Sequence, residues 1–237
     1  MLYRLADQRS NNVGLKAVSA RERQRQFTTP KAVIFDIGRV IVRLDPRRAF
    51  APISALLEHA ASRPGKSLSP QATWELIRCD ERWQDWQEGR ISPSEWHAHL
   101  MQRLKLPLSY TEFRDAWNRV LDPEPILGED LFERLAGRCR LALLSNTDPI
   151  HVSCLEESFS LGRHFPVRIY SCRVGASKPS PAIYRAALHA LGVTAEDALY
   201  IDDVQEFVLA ARQMGLDAIQ FKTAALLERD LQKRHLP

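Results

Sequence analysis

The sequence predicts an α/β protein, with a Rossmann-like core on a parallel sheet and a helical cap inserted after the first strand. Three observations carry that expectation. Short, continuous apolar runs of β-forming residues recur, each ending in a polar residue. Segments of helical length with glycine stops separate those in the second half. Residues 46–120 break the rhythm: they hold no good strand but contain all five tryptophans. Strands alternating with helices of about 10–15 residues imply βαβ units, and hence a parallel sheet.

Taken in order, Ala32-Val33-Ile34-Phe35-Asp36-Ile37 reads as a strand buried on both faces. Its terminal aspartate is costly to bury without partners. Leu141-Ala-Leu-Leu144 is the next strand of this kind, ending in Ser145-Asn146-Thr147, and residues 167–172 form a further candidate. Ser180 is placed to cap a helix that begins at Pro181, buries Ile183, Ala187, Leu188 and Leu191, and stops at Gly192. Ala198-Leu-Tyr-Ile201 is a strand running into Asp202-Asp203. A helix to Met214, stopped by Gly215, precedes a last strand at Ala218-Ile-Gln-Phe221.

Between them, Trp74, Trp83, Trp86, Trp96 and Trp117 fit the packing core of a small helical unit better than a sugar-stacking platform. Residues 64–67 and 89–93 read as helix–helix connections. The expected division is a basic N-terminal extension at 1–30, a core made of 31–45 and 121–237, and a cap at 46–120. The cap sits where it can cover the strand ends as a lid.

Composition narrows the class. With 237 residues, 45% of them hydrophobic, the chain suits one large core carrying an inserted unit. No run of about 18 uncharged apolar residues is present, so no membrane partner is expected. The formal charge of +4 resides in the leader: residues 1–31 carry seven basic side chains against two acidic ones, +5, leaving −1 for the rest. A basic groove for nucleic acid is therefore not expected on the body, and the leader is expected to be mobile and dispensable. The four cysteines are scattered without a C-x-x-C pair, which fits free thiols in a reducing, cytoplasmic setting.

The carboxyl ends of parallel strands share one edge, so Asp36, Ser145 and Asp202-Asp203 are expected to converge there, with Lys178 in a loop beside them. These groups suit phosphoryl transfer. A carboxylate attacks phosphorus, a hydroxyl and an amide hold phosphate oxygens, a lysine balances charge, and a second carboxylate helps hold a divalent metal.

Four segments, in this order and spacing, resemble the motifs of the haloacid dehalogenase superfamily: Val33-Ile-Phe-Asp36-Ile-Gly38, Leu143-Leu-Ser145-Asn146-Thr147, Ser177-Lys178-Pro179 and Tyr200-Ile-Asp202-Asp203. The resemblance covers residues 31–225. Gln87-Glu-Gly-Arg-Ile-Ser, with Phe-Asp-Ile-Gly, is similar to the bacterial branch that contains sugar-1-phosphate phosphatases. The resemblance implies that Asp36 is a nucleophile forming an aspartyl-phosphate. Ser145 and Asn146 would then bind phosphoryl oxygens, and Lys178 would bridge nucleophile and phosphate. Mg2+ would be held by Asp36, the Gly38 carbonyl and Asp203, with Asp202 in support. The implied partner is a small phosphorylated substrate.

Three positions depart from the family pattern. Gly38 stands where a second aspartate usually acts as general acid and base, a loss typically worth ~10²–10⁴ in rate. Arg39 replaces the usual Asn or Gly, and Phe207 replaces an Asn or Asp near the metal. Asp80 and Asp85 in the cap are candidates to supply the missing proton. Two alternatives stand beside the magnesium-dependent phosphatase: a metal-free haloacid dehalogenase, and a catalytically weakened protein that binds a phosphate ligand or partner.

Overall fold

The apolar runs do become strands. In a computed structural model of the chain, which describes residues 28–60, 69–159 and 161–237, Ala32–Phe35 (β1) has no solvent-exposed residue. On one side it pairs in parallel with Arg140–Ser145 (β4), on the other with Ala198–Asp202 (β6). Val167–Tyr170 (β5) and Asp217–Gln220 (β7) add the outer strands, giving a five-stranded parallel sheet in the order β5-β4-β1-β6-β7. With β1 in the middle, the chain builds out to one edge and then crosses back to the other. That reversal opens a crevice at the carboxyl ends of the central strands.

Side-chain alternation along the strands makes two apolar layers. Ala32, Ile34, Ala142, Leu144, Ala198 and Tyr200 face the helices Pro181–Leu191 and Gln205–Gln213. Val33, Phe35, Leu141, Leu143, Leu199 and Ile201 face the opposite way, toward the helix Glu129–Ala136. Helix starts and stops follow local chemistry. Ser180 accepts from the Ala182 amide with Pro181 at the first helical position, and Gly192 closes that helix at φ 63°.

Between residues 44 and 121 the described residues form five helices: Pro46–Ala60 (α1), Pro70–Arg78 (α2), Trp83–Gln87 (α3), Pro93–Leu104 (α4) and Tyr110–Asn118 (α5). Capping boxes start α4 at Ser92/Glu95 and α5 at Ser109/Glu112. Trp86, Trp96 and Trp117 are fully buried among these helices, whereas Trp74 and Trp83 are only partly covered. The remaining helices, in chain order, are Glu129–Ala136 (α6), Pro149–Ser158 (α7), Leu161–His164 (α8), Ser171–Val174 (α9), Pro181–Leu191 (α10), Gln205–Gln213 (α11) and Ala224–Gln232 (α12).

Two features differ from the sequence expectation. A short antiparallel pair, Val42–Leu44 (β2) with Leu121–Pro125 (β3), brackets the five helices. Its second strand reads Leu-Asp-Pro-Glu-Pro, and two prolines are tolerated because a two-stranded ribbon has only edges. The strand expected over 167–172 ends at Tyr170, and Ser171–Val174 turns into a helical segment closed by Gly175 at φ 74°. The leader as far as residue 27, and the connection expected at 64–67, lie outside the described residues.

One buried cluster ties α5 to the sheet side of the molecule. Asp148 caps α7 by accepting from the Ile150 and His151 amides. Its other oxygen accepts from Trp117 Nε1 at 3.1 Å and pairs with His151 Nδ1 at 2.8 Å. His151 Nε2 lies 3.1 Å from the Trp117 carbonyl, and the two rings stack at 5.5 Å. With an acceptor at each ring nitrogen, the geometry selects the doubly protonated imidazolium.

Burial opposes charge on both partners, yet their mutual attraction and hydrogen bonds prevail. The Asp148 carboxyl is held below its ordinary 3.8 and the His151 imidazole above its ordinary 6.5. The histidine's share of stability is therefore complete below pH 6.5 and is lost as pH rises through its raised value. The aspartate's share is lost only as pH falls below 3.8. His151→Phe should cost about 3–5 kcal/mol near pH 6, because it strands a buried carboxylate. It should also abolish the alkaline decline in melting temperature that this pair gives the wild type. Superimposable melting-temperature profiles from pH 5 to 9 for the two proteins would show that the pair is not ionised.

Candidate active site

The carboxyl edge of the sheet brings together most of the residues singled out from the sequence. Asp36 follows β1, and its amide donates to the Ile201 carbonyl of β6 at 2.9 Å, which fixes it against Asp202. Lys178, in the loop after α9, reaches into the same place with its side chain only 2% exposed. Its ammonium donates to Asp36 Oδ1 at 2.6 Å, Asp202 Oδ2 at 2.8 Å and the Leu144 carbonyl at 3.2 Å. All three ammonium protons are thereby used.

Asp202 is fully buried and fully engaged. Besides Lys178, its Oδ2 accepts from the Tyr200 hydroxyl, and its Oδ1 accepts from the Val204 amide at 2.8 Å. Asp203 is more open, and its Oδ2 pairs with Arg39 Nε at 3.0 Å. Asp36, Asp202 and Asp203 each offer an oxygen within 4.8 Å of the others.

Three carboxylates around one lysine leave a surplus of negative charge. Burial raises the Asp36 carboxyl most; Lys178 lowers it, Asp202 raises it, and the balance lies at about 7. Asp203 is also raised, chiefly by burial, although Arg39 opposes the shift. Lys178 is raised despite burial, because Asp36 and Asp202 hold its charge. An oxygen-rich, electron-rich donor set of this kind fits a hard divalent cation such as magnesium. With both Asp202 oxygens occupied, Asp36 and Asp203 are the carboxylates with capacity for it.

The other expected residues fall as follows. Ser145 ends β4, is 5% exposed, and lines a cavity of about 580 Å3 with Gly38 and Asn146. The Asn146 amide is directed elsewhere: it accepts from the Lys178 amide at 2.7 Å and donates to the Lys178 carbonyl at 3.0 Å. It therefore clamps the loop that carries the lysine. Gly38 sits at the turn after Asp36, where the Ile37 carbonyl accepts from the Ile41 and Val42 amides at 2.9 Å each. Arg39 takes φ 60° in that turn, a left-handed conformation that explains why Asn or Gly suits the position. Phe207 lays its ring under the Lys178 ammonium, 5.0 Å from ring centroid to nitrogen.

Asp80 and Asp85 do not reach this edge. Asp80 is enclosed by His99 and Arg103, Asp85 pairs with Arg90, and neither lines the cavity. Glu75 is the carboxylate that α2 contributes to the wall, beside Trp74 and Trp83.

Several contributors were not singled out from sequence. Tyr200 stands two residues before Asp202, on the same face of β6, and that spacing was the available signal. Ser171 carried no signal. Its hydroxyl donates to the Gln87 carbonyl of α3 at 2.6 Å and accepts from the Thr147 amide at 2.9 Å, joining the helical layer to the loop after Ser145.

A sequence profile of the haloacid dehalogenase-like hydrolases matches residues 30–215. Among curated proteins, bifunctional epoxide hydrolase 2 of Rattus norvegicus is 36% identical over 73 residues, 31% of this chain but only 13% of the relative. The phosphorylated carbohydrates phosphatase of Thermotoga maritima is 24% identical over 197 residues, 80% of this chain and 83% of its own. Among solved structures, the magnesium complex of a HAD family enzyme from Bacteroides thetaiotaomicron superposes with a TM-score of 0.72 at 21% identity, covering 85% of this chain and 100% of that one. At that identity the superposition shows the shared fold. With the profile spanning most of the described residues and the strand-end motifs converging on one edge, the chain belongs to the haloacid dehalogenase-like hydrolase family.

Proposed function

We propose that the chain is a magnesium-dependent phosphatase of small phosphorylated metabolites that works through Asp36. The observation that carries this reading is the buried Asp36–Lys178–Asp202 array, placed beside a cavity large enough for a metabolite. Asp36 attacks phosphorus, the bond to the leaving oxygen breaks, and an aspartyl-phosphate forms. Water then attacks that phosphorus, releasing inorganic phosphate and the free carboxylate.

Lys178 holds Asp36 Oδ1, which leaves Oδ2 facing the Gly38 side, where a Cβ on Gly38 would lie 4.0 Å away. Asp202 fixes the lysine, and Asn146 fixes the loop that carries it. Ser145 stands at the cavity wall to hold phosphoryl oxygens. Asp36, Asp203 and the Gly38 carbonyl would hold Mg2+, which supplies positive charge beside the reacting phosphoryl group. The five helices act as the cap, with Trp74, Trp83 and Glu75 facing the substrate. The Thermotoga relative is named for phosphorylated carbohydrates, and a sugar phosphate suits a wall of indoles mixed with polar groups.

Replacing Asp36 by the isosteric Asn should lower turnover about 10³-fold or more in a protein that still folds cooperatively. A variant that keeps a tenth of wild-type activity would remove Asp36 from the chemistry.

Chelation should stop phosphate release and added magnesium should restore it. Arg39 competes with the cation for Asp203, so Arg39→Asn should lower the magnesium concentration for half-maximal rate by roughly an order of magnitude. A higher requirement in that variant would instead place Arg39 on the substrate.

Gly38→Asp tests the missing acid. The added Cβ would meet Leu44 Cδ1 at 3.0 Å, a flexible side-chain end that must give by a few tenths of an ångström. An alkyl phosphate needs its departing oxygen protonated, whereas an aryl phosphate leaves readily without it. The variant should therefore gain most on alkyl substrates and narrow the gap between the two classes. Equal leaving-group sensitivity in folded wild type and variant would mean that another group already delivers the proton.

A further inference from the structure

We infer that Glu129, Glu133 and His164 form a second metal site, for a divalent transition ion of the zinc class, separate from the catalytic carboxylates. Glu129 and Glu133 are four residues apart on α6, so their side chains lie on one helical face. His164 ends α8, and one ligand atom from each residue lies within 4.8 Å of the others.

The histidine makes this more than an acidic surface patch. Its side chain is 8% exposed, and Nε2 is buried without a hydrogen-bond partner among the described residues. That nitrogen points toward Glu129 Oε2 at 3.7 Å, too far for a hydrogen bond. Buried polar atoms are rarely left unpaired, and an orphan imidazole nitrogen facing two carboxylates has the arrangement of a ligand. Zinc binds nitrogen and carboxylate oxygen at about 2.0–2.2 Å, which puts neighbouring ligand atoms about 3.5 Å apart. Small rotations of the two exposed glutamates close the difference.

Arg163 now fills the charge role. Its guanidinium lies 3.2 Å from Glu129 Oε2 and 3.2 Å from Glu133 Oε1, with its side chain 63% exposed. A divalent ion would release this arginine to water and satisfy the His164 nitrogen, which the guanidinium, engaged by the two glutamates, leaves unbonded. One imidazole with two carboxylates favours zinc over magnesium, which prefers oxygen ligands, so both ions can be held at once. An ion here would link α6 to α8. It would thereby brace Phe132 and Phe165, which pack edge-on against Phe35 at 5.6 and 5.9 Å, directly before Asp36.

The test is zinc titration of the full-length protein in saturating magnesium, followed by calorimetry and melting temperature. Wild type should bind one zinc ion and melt about 5–10 °C higher at a hundredfold excess over Kd. His164→Phe, which keeps a ring between the phenylalanines, and Glu133→Gln should each weaken binding at least tenfold. Asp203→Asn should leave it unchanged, and Arg163→Ala should tighten it. Absence of binding by the wild type would overturn the proposal. So would loss in Asp203→Asn with retention in Glu133→Gln, which would put the zinc at the catalytic carboxylates.

Discussion

Much of the active edge depends on one buried ammonium. Lys178 is the charge against which Asp36 and Asp202 can sit in the interior, and it is held by three acceptors at once. Removing one member of such a group typically costs about 3–5 kcal/mol, because the remaining charges stay buried and unpaired. The fold invests accordingly in placing it. Asn146 grips the lysine's backbone in both directions, the Phe207 ring lies beneath its head, and Tyr200 takes up the remaining capacity of Asp202 Oδ2. Asp36, Asn146, Lys178 and Asp202 are carried at or beyond the ends of β1, β4, β5 and β6, which is possible because a parallel sheet delivers its carboxyl termini to one side.

The helical layer is fixed to that edge through polar contacts that are buried or half-buried. Ser171 bridges the Gln87 carbonyl and the Thr147 backbone, while Ser177, beside the lysine, donates to Glu88 at 2.6 Å. The turn at Gly89 comes so close that a Cβ there would meet the Cys172 carbonyl oxygen at 2.1 Å, and its φ of 68° excludes most other residues independently. At the other end of the cavity, Trp117 is both stacked on His151 and bonded to Asp148. The loop after Ser145 is thus read by helices from two directions. A displacement of those helices would be felt within two or three residues of Ser145, which gives this part of the cavity wall a mechanical link to whatever fills it.

How much of this was legible beforehand follows from where the information resides. The central strands were legible because burial on both faces demands uninterrupted apolar runs, as in Ala32–Phe35. Ser180-Pro181 and Gly192 marked helix ends because capping is local chemistry. The convergence of Asp36, Lys178 and Asp202 followed from strand order. The β2–β3 ribbon was not legible, since its prolines argue locally against a strand and only pairing across the whole insertion creates it. Ser171 was hidden for a related reason: its partners, Gln87 and Thr147, are remote in sequence. The grip of Asn146 on the Lys178 backbone was not legible, because an amide after a strand end looks alike whether it faces ligand or backbone. The two partly covered tryptophans, Trp74 and Trp83, could not be told from the three buried ones by spacing alone.

The departures at Gly38 and Arg39 are best understood together, as properties of one turn. The Ile37 carbonyl gathers the amides of Ile41 and Val42, and the Arg39 amide donates to the Val42 carbonyl at 2.7 Å, so the chain reverses within a few residues of Asp36. That reversal forces position 39 into the left-handed region, and it brings Leu44 against the space where a side chain at 38 would begin. The absence of a second carboxylate is therefore matched by packing: Leu44 occupies the approach, and Arg39 rather than an acid answers Asp203. With no acid at 38, the negative charge beside Asp36 is smaller than it would be with a second aspartate, which eases the burial that already raises Asp36. The same turn that carries no carboxylate at 38 thus lowers the electrostatic cost of keeping Asp36 ionised. On the mechanism proposed above, such a site would favour the displacement of groups that depart without assistance.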